Sequence, residues 1–389
     1  MLVIGPGYGH NAEGKSTSLN DNDCFYVTFA AFSLDSKFVQ KFNRINYVKI
    51  NELEVGGRLK LILNVFWITY QLIRLCRKVS FDVIYVLGLN GYIVVPLFKW
   101  IRGRSIIAYE LWSNAVLDSI EKGNGLTRYV NSLIFKHVDY VCQYWWGIRE
   151  KFISIFPQYE SKYIMYQLSY PDIYFAHNEC IPECDFVKGF LKSIPENQKV
   201  CFWPRSFNAS NNHVLFLQAL DIINKNTPTL LENFKLYLWG GNVESADSRL
   251  KIETAIKEYS LAKYVQIVDH PFVPQNDIFA IEQRSDFFVQ ISNDDILSTY
   301  IMEIICSEKP FLLSNLRTYQ FLNEVYQLNI DLVENDATII AKRFSEILED
   351  GNNWDKEMAP KRKNICIKRF SRRHTLRWYQ ILYNKLYVK

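Results

Sequence analysis

Residues 81–102 read Phe-Asp-Val-Ile-Tyr-Val-Leu-Gly-Leu-Asn-Gly-Tyr-Ile-Val-Val-Pro-Leu-Phe-Lys-Trp-Ile-Arg, and this stretch carries the pattern that decides the fold. Its first seven residues form a nearly continuous apolar run, which is typical of a strand that is buried on both faces of a sheet. A helical stretch follows over 90–102. An apolar strand followed at once by a helix predicts one unit of a parallel sheet that is covered by helices.

The same pattern recurs along the chain and then starts again in its second half. The strands predicted in the first half are 2–5, 24–31, 47–50, 81–87, 105–111, 140–144 and 163–168. Those predicted in the second half are 200–203, 234–239, 265–268, 287–291, 310–313 and 330–333. Helical stretches lie between the strands of both halves. The sequence therefore predicts an α/β protein with two doubly wound, Rossmann-like domains.

Prolines and mixed polar residues between the halves indicate a linker. The pattern predicts an N-terminal domain over 1–175, a linker over 176–199 and a C-terminal domain over 200–365. A basic helix is predicted to follow over 366–389.

Composition and charge narrow the class of protein further. Of the 389 residues, 49% are hydrophobic and 15% are aromatic, which excludes a collagen, a disordered protein and a small disulfide-bonded scaffold. Residues 1–190 carry 20 lysines and arginines against 17 acidic residues, residues 191–360 carry 15 against 24, and residues 361–389 carry 10 against none. The net charge of +4 is therefore the sum of a weakly basic first half, an acidic second half and a strongly basic tail.

Aromatic residues alternate with the cations of this tail, among them Phe370, Trp378 and Tyr383. A basic, aromatic helix suits an anionic membrane surface, and a solvated amphipathic helix is the alternative. We expect no nucleic-acid partner, because the second half is acidic and the sequence contains no nucleic-acid recognition motif.

The beginning of the chain and its cysteines predict a cytoplasmic location. Residues 1–5 are a short apolar run without a basic segment before it, unlike a secretory signal peptide. Cys201 and several other cysteines lie in apolar runs, as expected of buried, reduced thiols. His177, Cys180 and Cys184 have the spacing of half a zinc site, but no fourth ligand accompanies them, so no metal site is predicted.

The stretch 57–78 allows two interpretations. Its apolar core over 61–73 is interrupted by polar residues and is too short to span a bilayer. The stretch is predicted to be a crossover helix that is buried against the sheet. In the alternative, its outer face also enters a membrane surface, with Arg74, Arg77 and Lys78 facing the lipid.

Residues 9–16, Gly-His-Asn-Ala-Glu-Gly-Lys-Ser, match the pattern of a phosphate loop. A phosphate loop needs a helix that starts at its Lys-Ser pair, whereas the Thr, Ser, Asn and Asp residues that follow favour turns. A nucleotide-binding enzyme that uses Lys15 is therefore the less favoured interpretation. Gly14 is still predicted to let the backbone approach a ligand at the strand ends.

Charged residues near two predicted strand ends of the second half indicate an anion site. Arg205 follows the first of these strands, and its guanidinium can hold a diphosphate through two parallel hydrogen bonds. Asp295 and Glu303 follow the fourth strand and can bind hydroxyl groups. The predicted amide donors at the start of the next helix are those of Ile296, Leu297 and Ser298. Together these groups suit a sugar nucleotide.

These residues resemble the retaining glycosyltransferases of family 4, which have the GT-B fold of two Rossmann-like domains facing a central cleft. Arg205 stands where that family has its strand-end arginine, whereas Asn211 and Asn212 stand where a lysine is expected. The most specific feature is the pair Asp295 and Glu303, which has the spacing of the E-x7-E motif with its first glutamate replaced.

The resemblance implies a role for each residue. Arg205 would bind the diphosphate, Asp295 the hydroxyl groups of the donor sugar, and Glu303 the ribose. In the first domain, Glu110 comes directly after 106–109, which matches a strand of the family, and it is the candidate for contact with donor sugar or acceptor, with a buried structural carboxylate as the alternative. The basic C-terminal helix would return to the first domain.

The resemblance also implies an activity. The expected enzyme is a retaining, metal-independent hexosyltransferase without a cofactor, in which the leaving diphosphate helps to deprotonate the acceptor. Its expected partners are a UDP or GDP sugar and a glycan or lipid-linked glycan, in bacterial surface polysaccharide synthesis at the inner face of the cell membrane. Loss of the family's lysine and loop glycines leaves open a catalytically reduced binding or scaffold subunit.

Overall fold

The structure is a computed structural model, and it describes residues 1–5, 26–31, 44–51, 59–88, 91–101, 105–111, 115–143, 146–165, 180–240, 245–269, 275–295, 297–351 and 354–371. Contacts within the chain divide it into two compact units. The first comprises Met1–Pro171 and Phe370–Lys389, and the second comprises Asp172–Arg369. Each unit is built around a parallel sheet of its own.

The sheet of the first unit has seven strands. They are β1 (Leu2–Gly5), β2 (Val27–Ala31), β3 (Ile45–Lys49), β4 (Val83–Leu87), β5 (Ile106–Glu110), β6 (Tyr140–Gln143) and β7 (Tyr163–Met165). Their order is β3-β2-β1-β4-β5-β6-β7, and every pairing is parallel. Val3 is in register with Phe29 on one side and with Tyr85 on the other, and all three are buried in one apolar cluster. The apolar strands thus form the core, as their sequence predicts.

Helices cover this sheet. They are α1 (Leu59–Lys78), α2 (Gly91–Ile101), α3 (Ala115–Lys122), α4 (Gly125–His137) and α5 (Trp146–Ile155), with a 3-10 helix over Pro157–Lys162. α2 contacts both α1 and α4, and α3 contacts α4, so the first four helices form one layer. α4 begins where the Asn124 side chain accepts a hydrogen bond from the Thr127 amide.

The sheet of the second unit has six strands. They are β8 (Lys199–Trp203), β9 (Phe234–Leu238), β10 (Val265–Ile267), β11 (Phe287–Gln290), β12 (Phe311–Ser314) and β13 (Leu332–Val333). Their order is β10-β9-β8-β11-β12-β13, again with parallel pairing throughout. The two sheets confirm the predicted α/β class.

Eight α-helices accompany these strands among the residues that are described. They are α6 (Asp185–Ser193), α7 (His213–Asn226), α8 (Ala246–Glu258), α9 (Gln275–Arg284), α10 (Thr299–Cys306), α11 (Arg317–Tyr326), α12 (Ala337–Asp350) and α13 (Met358–Phe370), with a 3-10 helix over Pro228–Leu231. Phe344 of α12 packs its ring against those of Phe216, Phe234 and Phe287. The boundary predicted at residue 365 lies inside α13, where buried Arg362 pairs with Asp355.

Both sheets contain a point at which the strand order reverses. In the first sheet it lies between β1 and β4, and in the second it lies between β8 and β11. At such a point the chain leaves two neighbouring strands in opposite directions, which opens a crevice at their carboxyl ends where ligands bind in doubly wound sheets. The loops after β8 and β11 therefore place their residues where a ligand is expected.

Candidate functional site

Arg205 and Asp295 form an ion pair at this end of the second sheet. Nη2 of Arg205, two residues beyond β8, donates to Oδ2 of Asp295 at 3.3 Å. The Asp295 side chain is 1% exposed and that of Arg205 is 25% exposed, so part of the guanidinium remains accessible. The buried Nε–H of Arg205 has no acceptor among the described residues. The guanidinium therefore retains donor capacity for an anion.

Asp295 also shapes the turn that leads into α10. Its Oδ1 accepts the Ser298 amide at 2.7 Å, and its backbone oxygen accepts the Thr318 hydroxyl. Leu297 has a φ of +69°, a left-handed conformation that allows the chain to fold back over so few residues. The Ser298 amide, predicted to face an anion, donates to Asp295 because a carboxylate before a helix satisfies the nearest unpaired amide.

Tyr319 of α11 lies beside the ion pair, and no sequence pattern indicates it. The side chain is fully buried. Burial raises the pKa of its hydroxyl, and the charge of Asp295 raises it further, whereas the charge of Arg205 lowers it. The phenol therefore stays neutral beside the Asp295 carboxylate.

Amide side chains occupy the place where the resemblance leads one to expect a lysine. Nδ2 of buried Asn211 donates to the backbone oxygen of Ser206 at 3.0 Å. The side chains of Asn212 and Asn293 exchange two hydrogen bonds, each of 2.8 Å. The backbone amide of Asn293 donates to the backbone oxygen of Ser210. The loops after β8 and β11 are thus fastened to each other, and this position supplies no second cation.

His213, the first residue of α7, is a second neighbour of Arg205 that the sequence does not indicate. Its ring stacks on that of Trp203 with a centroid distance of 4.3 Å, and the residue is only 2% exposed. Burial lowers the pKa of His213 to about 3, and the charge of Arg205 adds to this shift. The imidazole is therefore neutral at physiological pH and adds no charge near Arg205.

Glu303 lies on α10 against Glu282 of α9, and both residues are buried. Burial raises the pKa of Glu282 well above its ordinary value, and Glu303 raises it further through its charge and a hydrogen bond between the two carboxyl groups. Two buried carboxyl groups in contact retain a proton because they cannot both ionise at low cost. The predicted contact between Glu303 and a ribose stays a prediction.

Glu110 lies in the other unit, as the last residue of β5. It is fully buried, and its Oε2 accepts the Tyr85 hydroxyl at 2.6 Å. Its backbone oxygen accepts the amide of Gly88, whose φ of +60° allows the chain to turn immediately after β4. These contacts favour the structural alternative for Glu110.

By sequence, no protein-family model and no curated protein matches the chain. Solved structures do match it, at low identity. HepE of Anabaena, solved with UDP-glucose, is 15% identical, with a TM-score of 0.72 over 98% of this chain and 99% of its own. Sucrose-phosphate synthase of Thermosynechococcus elongatus is 16% identical, with a TM-score of 0.74 over 100% and 98%. A glycosyltransferase of Rickettsia africae is 13% identical, with a TM-score of 0.71 over 99% and 97%.

The chain has the GT-B fold. The similarity extends over nearly the whole chain and includes both doubly wound units, which confirms the fold that the sequence predicts. At such low identity it establishes the architecture alone. The chemistry of this GT-B protein has to be argued from its own residues.

Some predicted features lie outside the described residues. They are Gly14, Lys15, Ile296 and the basic segment from residue 372 onward. Within the described part of this GT-B chain, no cluster of three or more His, Cys, Asp or Glu side chains could hold a metal ion. In the same part, no helix has the length and apolar character needed to cross a bilayer.

Proposed function

We propose that the protein is a glycosyltransferase that transfers a sugar from a UDP or GDP sugar donor to a glycan or lipid-linked glycan acceptor. The observation that carries the proposal is the Arg205 guanidinium at the strand-order reversal of the second sheet, on a side chain that is 25% exposed and is held by Asp295. A diphosphate matches the fork of such a group. HepE, which shares the fold, was solved with UDP and with UDP-glucose, and this supports a nucleotide-sugar donor.

We further propose a site of family 4 type, in which Asp295 and Glu303 stand for the two acidic residues of the E-x7-E motif. Arg205 binds the diphosphate and Glu303 the ribose. Asp295 orients Arg205 and the turn before α10, consistent with its two hydrogen bonds, and the sugar hydroxyl groups lie next to it. By resemblance to that family, the reaction is proposed to need neither metal nor cofactor.

The proposed reaction retains the configuration of the sugar. The bond between the anomeric carbon and the diphosphate oxygen breaks, and the acceptor hydroxyl oxygen forms the new bond on the same face. The hydroxyl proton passes to the departing diphosphate. Because negative charge grows on the diphosphate as the bond breaks, Arg205 stabilises the transition state more than it stabilises the bound donor.

The proposed setting is bacterial surface polysaccharide synthesis at the cytoplasmic face of the cell membrane, with the protein bound peripherally. The family resemblance supports this setting. So does the composition of residues 364–389, which carry seven cations and no acidic residue. Such a segment is attracted to anionic lipid headgroups.

A nucleotide screen tests the donor site. Thermal unfolding of the purified protein is measured with UDP, GDP, CMP and ADP, since a ligand at about 100 times its dissociation constant stabilises the folded state by about 2.7 kcal/mol. We expect UDP or GDP to raise the melting temperature, Arg205→Ala to reduce the shift, and Arg249→Ala on α8 to leave it unchanged. Absence of stabilisation by every nucleotide would contradict the proposal.

A second candidate function is a binding or scaffold subunit with little catalysis. The Asn212–Asn293 pair favours it, because the position where a second cation is expected carries amides instead. Donor hydrolysis by the purified protein distinguishes the two candidates. Tight nucleotide binding with an intact sugar nucleotide after prolonged incubation identifies the scaffold subunit, whereas release of the diphosphate identifies the transferase.

A further inference from the structure

The outward face of helix α1 carries apolar side chains between residues 63 and 70 and cations between residues 74 and 78. Leu63, Phe66, Trp67 and Tyr70 are 40%, 70%, 37% and 54% exposed. The exposed cations that follow them are Arg74, Arg77 and Lys78. At 3.6 residues per turn, these seven positions form a single stripe along the helix.

The opposite face of α1 accounts for the attachment of the helix to its own unit. Ile68 and Leu72 are buried, and the Thr69 hydroxyl donates to the backbone oxygen of Ile93 in α2. Gln71 exchanges two hydrogen bonds with the backbone of Asn51. The sheet and α2 therefore contact α1 through this inward face, and the apolar side chains of the outward stripe remain exposed.

The stripe is unusual for a water-facing surface. Trp67 and Tyr70 stack with a centroid distance of 5.7 Å, so they present one aromatic platform. None of the 20 residues of α1 is acidic. Leu250, Val325 and Ile339 are exposed singly on three different helices of the second unit, which is ordinary for a globular protein. Four large apolar side chains on one stripe mark an interaction surface.

We infer that the outward stripe of α1 docks the protein onto an anionic phospholipid surface. Trp and Tyr favour the boundary between headgroups and acyl chains, where an apolar ring and a polar edge are both satisfied. Arg74, Arg77 and Lys78 complement the negative charge of the headgroups. The inference deepens the proposed function and rests on it for the lipid-linked acceptor, which such a surface would present.

The same layer of helices extends the surface. α2 contacts both α1 and α4. In α4, Leu126 and Tyr129 are 64% and 63% exposed, and Arg128 between them is exposed. A second copy of the chain fits the stripe less well, because α1 has no acidic residue to pair with the cations of its partner.

Vesicle flotation of the full chain tests the inference without any donor or acceptor. We expect binding to phosphatidylglycerol-containing vesicles, weak binding to phosphatidylcholine alone, and loss of binding at high salt. Arg74→Gln with Arg77→Gln and Lys78→Gln removes three cations, and a contribution of about 1 kcal/mol per cation predicts a partition coefficient about 100-fold lower. Phe66→Ser with Trp67→Ser and Tyr70→Ser is expected to lower it at least tenfold.

Matched variants in the second unit serve as controls. Leu250→Ser with Ile339→Ser removes exposed apolar groups elsewhere, and Lys192→Gln with Lys257→Gln and Lys263→Gln removes the same number of exposed cations. Both are expected to bind vesicles like the unaltered protein. Thermal unfolding of all variants without any ligand reports whether they are folded. If the aromatic variant is not folded, the charge variant carries the test.

Three outcomes overturn the inference. They are no binding of the unaltered protein to anionic vesicles, equal binding by the α1 variants, and a dimer in solution that the aromatic variant abolishes. Because nucleotide binding is measured in solution without vesicles, a loss of nucleotide binding and a loss of vesicle binding are recognised independently of each other.

Discussion

Two buried carboxylates, Glu110 in the first unit and Asp295 in the second, stand at the carboxyl ends of their sheets with different partners. Glu110 accepts a hydrogen bond from the Tyr85 hydroxyl. Asp295 accepts from the Arg205 guanidinium and from the Ser298 amide. In the proposed anion site, the contribution of Asp295 comes from the guanidinium that it orients, and not from its position at a strand end alone.

The largest expected effect is that of Arg205→Ala. Turnover should fall about 100-fold to 1,000-fold, as when an enzyme loses a group that stabilises developing negative charge. Donor affinity should fall less, because the charge on the leaving diphosphate is greatest late in the reaction. Steady-state kinetics with a saturating acceptor measure both. Equal losses in turnover and in affinity would contradict this, because they would show that Arg205 stabilises the bound donor and the transition state equally.

Asp295→Asn should have the next largest effect. The amide keeps the size of the side chain but removes the charge that orients Arg205, so turnover should fall about tenfold and the free energy of unfolding by about 2 kcal/mol. Turnover and urea unfolding are the measurements. Asp350→Asn, at an exposed position at the end of α12, is the control, and it should change neither quantity. If Asp295→Asn behaved like the control, the ion pair would have no functional role.

Glu282 is a third buried acidic group, and its raised pKa predicts that the stability of the protein depends on pH. Burial and Glu303 raise its pKa in the folded state, so the folded protein holds a proton that the unfolded chain releases near pH 4.5. This contribution is complete below the unfolded pKa and is lost as the pH rises towards the folded pKa. Glu282→Gln should therefore weaken the fall in unfolding free energy as the pH rises above about 4.5, the ordinary pKa of the group.

Denaturant unfolding at several pH values checks this dependence. Glu258→Gln, an exposed change on α8, is the matched control and should leave the slope of stability against pH unaltered. The same slope in Glu282→Gln and in the unaltered protein would show that the two carboxyl groups do not share a proton.

The smallest effect is expected from Glu110→Gln. A glutamine oxygen can still accept the Tyr85 hydroxyl, so the unfolding free energy should fall by about 1 kcal/mol and turnover should stay within about twofold. Thermal unfolding and turnover are measured together. A loss of turnover above tenfold with unchanged stability would restore the catalytic role that the resemblance implies, and would remove the contrast with Asp295.

The strands were predictable because each is an apolar run that a sheet buries on both faces. Predicted and observed strands agree to within a few residues, as for 234–239 and β9. The candidate cation was predictable because Arg205 directly follows such a strand. Tyr319 and His213 were not predictable. Their approach to Arg205 depends on how α11 and α7 pack, and neither residue belongs to a local pattern.

The sequence alone determined the alternation of strands and helices, the two parallel sheets and the residues at their carboxyl ends, because these follow from periodicity and from the position of a residue relative to an apolar run. Only the tertiary structure decided the partners: Asp295 with Arg205, Glu282 with Glu303, and the exposed face of α1. These hydrogen bonds and this packing join residues that are distant in the chain, so a local stretch of sequence cannot indicate which residues come together.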